Sequence, residues 1–126
     1  MKRKDVDLFE KLSAQLSGLQ QELSLLAKKS PSDAVNPFKL NLINKVLQQC
    51  NDLLGEQYRP FHDFGIFSSD DVPSTSDVTF ILSQYIECAE KFRSDNIENE
   101  SGWWYWKLDD SGDAVRTSSP KKLSNK

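Results

Sequence analysis

His62 is the only histidine in the chain and stands beside Asp63, and Cys50 and Cys88 are the only thiols. A nucleophilic hydrolase or transferase needs a nucleophile, a base in reach of it and a group that orients the base. His62 and Asp63 could supply the last two. Both cysteines, however, fall on apolar stripes of helical period, where a thiol behaves as a small inert hydrophobe. No catalytic set can be assembled, and the chain is read as a non-enzyme. Asp70 and Asp71, with Asp63 and Asp77 close by, form the densest acidic cluster. A hard cation needs several oxygen ligands at fixed offsets with glycine at the sharp turn, and that pattern is missing. Two carboxylates before a helix start are more simply partners of the helix dipole. The five glycines are isolated from one another, so neither nucleotide-binding fingerprint can be built. No metal, cofactor or small-molecule substrate is called for.

The residues best suited to recognition are Trp103, Trp104, Tyr105 and Trp106, which hold every tryptophan of the chain within four positions. On a strand, Trp103 and Tyr105 face one way and Trp104 and Trp106 the other. One pair can cap a helical core while the other is left for a partner, and Trp and Tyr dominate interface hot spots. Aromatic platforms for nucleic-acid bases need flanking positive charge. Here Glu98, Glu100, Asp109 and Asp110 flank the cluster, against Lys107 alone. The candidate partner-binding set is therefore Trp103, Trp104, Tyr105, Trp106, Asp109 and Asp110, and the partner expected is a protein. At least one of the four rings should stay exposed, because a strand of four aromatics cannot bury both faces against a small bundle.

Three helices must position this cluster. In residues 5–29, Phe9, Leu12, Leu16, Leu19, Leu23 and Leu26 are spaced 3, 4, 3, 4, 3, the seam of a heptad. This seam is read as one face of an intramolecular bundle, with pairing to a second chain as the alternative. Ser30-Pro31 ends the helix. Asn36-Pro37 starts the second, as N-cap and first helical residue. Phe38, Leu42, Ile43, Val46, Leu47, Cys50, Leu53 and Leu54 form its wide apolar stripe, and Gly55 offers a stop. Residues 56–73 hold Tyr58, Phe61, Phe64, Ile66 and Phe67 without a clean period, and read as an ordered loop with a short turn of helix. Ser74 or Thr75 can cap the third helix, and Asp77 can reciprocate three residues after Ser74. The buried face of this helix is expected at Val78, Ile81, Leu82, Tyr85, Cys88, Ala89 and Phe92, widened by Phe80 and Ile86. Asn96 is expected to close it in a left-handed conformation. Asp109-Asp110-Ser111-Gly112 reads as a turn that could pair Trp103–Trp106 with Ala114–Val115 in a hairpin.

The fold class is thus mainly α: a three-helix bundle-like domain, with helices near 6–28, 37–54 and 76–95, an aromatic loop, and a short C-terminal aromatic strand or hairpin. Residues 1–116 are read as a single helical domain and 117–126 as a disordered basic tail. The net charge of −3 divides into +2 for residues 1–29, −8 for 30–119 and +3 for 120–126. An acidic middle repels phosphate backbones and argues against duplex nucleic acid as a ligand of the folded part. The alternative function is a nucleic-acid-associated regulator that uses the basic tails. Two cysteines make no disulfide framework, the basic start has no apolar run after it, and no segment approaches a membrane span. A cytoplasmic setting is expected, with no membrane association and no stated oligomeric state. The leading function is a protein-interaction module: an adaptor, an inhibitor or immunity-type protein, or an accessory subunit of a complex.

Overall fold

The computed structural model describes residues 1–110 and 112–121. Its order is α1 (Arg3–Lys29), α2 (Pro37–Tyr58), a single 3-10 turn (Ser69–Asp71), α3 (Thr75–Asp95), β1 (Ile97–Glu100), β2 (Trp103–Trp106) and β3 (Arg116–Thr117). The molecule is mainly α, with a small antiparallel sheet in the order β1-β2-β3.

The heptad seam of α1 is spent inside the molecule. Phe9, Leu12, Leu16 and Leu23 are buried together with Val6, while Leu19 and Leu26 pack half-buried at the edge of the core. The helix lies chiefly along α3. Asn36 caps α2 as expected, its Oδ1 accepting from the Lys39 N–H at 2.8 Å. The buried stripe of α2 is Leu40, Ile43, Val46, Leu47, Cys50 and Leu54, with the polar Asn51 among them. Phe38 and Leu42, read as part of that stripe, instead face solvent at 74% and 42% exposure. Phe38 sits in the first turn, where Lys39 already pairs with Glu22 of α1 and Leu40 is buried, and points to the other side. Leu42 lies one step round the helix from Ile43, in an open groove between α2 and α1 lined by Gly18 and Leu19. Gly55 breaks the helix where the sequence offers a stop, and one further turn carries the element to Tyr58. The glycine's φ of +71° and ψ of −179° kink the chain there, a backbone state open to glycine.

Ser74 caps α3, its Oγ accepting from the Asp77 N–H at 3.1 Å. Val78, Leu82, Tyr85, Ala89 and Phe92 are buried, Ile81, Ile86 and Cys88 half-buried, and Phe80 is 57% exposed, contrary to expectation. The α1–α2 linker is fastened to this start: the Thr75 N–H donates to the Asp33 carbonyl at 2.8 Å and the Thr75 hydroxyl to the Ser30 carbonyl at 2.7 Å. At the other end Asn96 is not left-handed. It has φ −117° and ψ 16°, and its amide side chain donates to the Phe92 carbonyl at 2.8 Å, which closes the helix another way.

The chain then enters β1, a strand absent from the sequence reading. Ser101 and Gly102, at φ 53° and 90°, make a two-residue turn of the kind whose twist suits a hairpin. Trp103–Trp106 is thereby paired with Ile97–Glu100. Its second partner is Arg116–Thr117 rather than Ala114–Val115, although the Val115 carbonyl accepts from the Trp106 N–H at 3.0 Å. The turn expected at 109–112 includes Ser111, which lies outside the described residues. Of the tail read as disordered, Thr117 belongs to β3, and the Ser118 and Ser119 carbonyls accept from the Arg93 guanidinium. Residues 122–126 lie outside the described residues.

Candidate partner-binding surface

Residues directly opposite each other in an antiparallel pair share a face of the sheet. The register pairs Ile97 with Trp106 and Asn99 with Trp104, and Trp104 with Thr117. These residues form the inner face: Trp106 and Ile97 are buried at 3% and 4% exposure, and Trp104 is packed half-buried on the core. Trp106 meets Phe9 of α1 edge-on with 5.2 Å between ring centroids, and its indole N–H donates to Glu10 at 3.4 Å.

The outer face carries Trp103 opposite Glu100, and Tyr105 between Glu98 and Arg116. Trp103 is 54% exposed and Tyr105 half-buried. The Arg116 guanidinium lies 3.8 Å from the centroid of the Trp103 ring, a cation–π contact. The alternation read from the sequence therefore holds: one pair of aromatics closes the core and the other faces out.

The expected acidic rim is elsewhere. Asp109 accepts from the Met1 amino group at 3.1 Å, and Asp110 accepts from the Arg3 N–H at 3.3 Å. Both carboxylates thus sit at the N-terminal end of α1, where free N–H groups and the helix dipole favour anions. The carboxylates beside the exposed rings are Glu98 and Glu100. The sequence shows both as flanking acids, but the candidate set leaves them out because the sequence reading does not foresee β1.

The groups that suggested chemistry are dispersed. His62 is exposed and lies 3.3 Å from Glu56 rather than on Asp63. Cys50 is buried in the core, where burial pushes its thiol up to about 12. Cys88 is half-buried and also raised, by burial first and then by the charge of Glu87. Among the described residues no three His, Cys, Asp or Glu side chains gather as a metal would require.

The loop after α2 is held by amides as much as by aromatics. Asn44 and Asn51 donate to the Phe67 and Gly65 carbonyls, each at 2.8 Å, and the Phe67 N–H donates back to Asn44 at 2.9 Å. Arg59 adds bonds to the Phe61 and Phe64 carbonyls. The loop is a clasped cover over α2, with Ile66 left 46% exposed.

No family model, curated protein or solved structure matches the chain. Among the described residues no helix is long and apolar enough to cross a membrane.

Proposed function

We propose that this chain is a non-enzymatic protein-interaction module, serving as an adaptor, an inhibitor or an accessory subunit, and that it binds through the outer face of its sheet. One observation carries the reading: Trp103 is 54% exposed on a sheet whose inner face is already filled by Trp106 and Ile97. The ring is not needed to close the core, and exposed apolar surface invites association. Trp is also the residue type most often found at binding hot spots. The sheet presents it on paired backbone rather than on a loop, so little ordering is lost on binding.

The test is capture of proteins from the source cells on three immobilised forms of the full chain: unaltered, Trp103→Ala and Phe80→Ala. The last replaces a similarly exposed ring on α3. A protein retained by the unaltered and Phe80→Ala chains and lost by Trp103→Ala supports the reading. Retention by all three, or loss by both variants together, contradicts it.

A further inference from the structure

We infer that the partner segment is extended and bears arginine, that it adds as a strand along the open edge of β1, and that it stacks a guanidinium on Trp103. This rests on the interaction reading above and specifies the chemistry of what that face takes.

Three observations converge on it. The first is the edge. Lys107 N–H donates to the Asn96 carbonyl at 2.8 Å, and the turn closes on the pair Glu100 and Trp103. Hydrogen-bonded pairs alternate along an antiparallel ladder, so Asn96, Glu98 and Glu100 point their backbone groups at β2. Those of Ile97 and Asn99 point away from β2; Asn99 is exposed there, whereas Ile97 is buried. The Asn99 N–H and carbonyl are therefore the groups at which an added strand would pair. The opposite side of β2 is taken, because the Trp106 N–H bonds to Val115 and Trp104 pairs with Thr117.

The second is charge. Glu98 and Glu100 are exposed on the outer face, and among the described residues neither carboxylate has a hydrogen-bond or ion-pair partner. A strand laid along β1 would place alternate side chains beside them, and cations there would be met by two free carboxylates.

The third is the ring. Arg116 already lays its guanidinium over Trp103 at 3.8 Å while making no ion pair with Glu98 or Glu100. The indole face therefore accepts a guanidinium in this setting. Arg116 fills that place from within the molecule and competes with the partner's arginine.

The probe is a short peptide of alternating valine and arginine, blocked at both ends, titrated into the full chain and followed by nitrogen-resolved NMR. A matched peptide carries citrulline in place of arginine, which keeps the planar head and removes the charge. The arginine peptide is expected to shift the Trp103 indole N–H and the Asn99 amide, and the citrulline peptide to leave them in place. Arg116→Ala should tighten binding about two- to fivefold by releasing an exposed cation–π contact. Trp103→Ala should weaken it by about tenfold. Equal binding of the two peptides, shifts confined to other surfaces, or no binding by either the unaltered chain or Arg116→Ala would overturn the inference. If cellular capture depends on Trp103 while the arginine peptide fails, this inference falls and the interaction face stands. If capture is indifferent to Trp103, the face itself is wrong.

Discussion

At the scale of single residues, the polar groups inside the core are the ones that sequence reading passed over. Tyr85 was legible as buried from its place on the α3 stripe. That its hydroxyl donates to Asn51 at 2.6 Å, while Asn51 holds the Gly65 carbonyl, was not. Asn51 has no periodic signature and is fixed only by what the loop brings to it. Tyr85→Phe would leave the buried Asn51 oxygen without its donor. It should destabilise the protein by about 1–3 kcal/mol, read as a lower urea midpoint at unchanged slope. Arg93 was equally hidden, since an arginine near a helix C-terminus reads as a solvated dipole partner. Its side chain is only 6% exposed, and it donates to both Glu90 oxygens, to the Thr117 hydroxyl and to the Ser118 and Ser119 carbonyls. Burial pushes the Glu90 carboxyl up, but the Arg93 hydrogen bonds and the Lys121 N–H outweigh it and hold the group below its ordinary value. A folded value below the unfolded one contributes stability that is present above the unfolded value and lost as pH falls through the folded one. Acid should therefore loosen the 117–121 segment. The Lys121 amide resonance should move as pH drops below the ordinary carboxylate range of about 4. In Glu90→Gln that titration should disappear.

At the scale of elements, the helices were readable because each carries a local start signal and a face of period 3.6, and both survive folding. Asn36 and Ser74 cap where their types and positions say. Phe38, Leu42 and Phe80 show the limit of the method. Apolar type widened the expected stripes, but geometry decides which side chains are covered, and these three stay exposed. β1 escaped notice because three of its four residues are polar and exposed. Nothing in Ile97–Glu100 alternates, and only the Ser101-Gly102 turn marks it. For α1 the two readings of the seam separate cleanly on one substitution. Leu16 is 1% exposed, so Leu16→Asp puts an unpaired carboxylate in the core. It should cost about 5 kcal/mol or more, the whole stability of a chain at the lower end of the ordinary range. Leu25→Asp, on the same helix at 63% exposure, should melt close to the unaltered protein. Circular dichroism melting of the pair checks this. A folded, monomeric Leu16→Asp would return the seam to a partner-binding role.

For the whole molecule, α1 is pinned at its start by Asp109 and Asp110, and the segment after β3 is held to α3 by Arg93. The sheet thus sits between two chain segments fastened to the bundle, and its inner rings lie against Phe9 and the core. That anchoring leaves the outer face aromatic and acidic without asking it to hold the fold together. The two-faced character of Trp103–Trp106 was legible in the sequence from strand alternation alone. The identity of the rim was not, because Glu98 and Glu100 reach the rings only across a hairpin. The central claim is that Trp103 serves binding and not stability, and its most direct test is one variant measured two ways against the captured partner. Trp103→Ala should weaken partner binding by about 2 kcal/mol, a roughly thirtyfold rise in Kd. Its melting temperature should stay within about 4 °C of the unaltered chain, since an exposed cation–π contact is worth no more than about 1 kcal/mol. Unchanged affinity, or a fall in melting temperature that accounts for the whole loss of binding, would contradict the account.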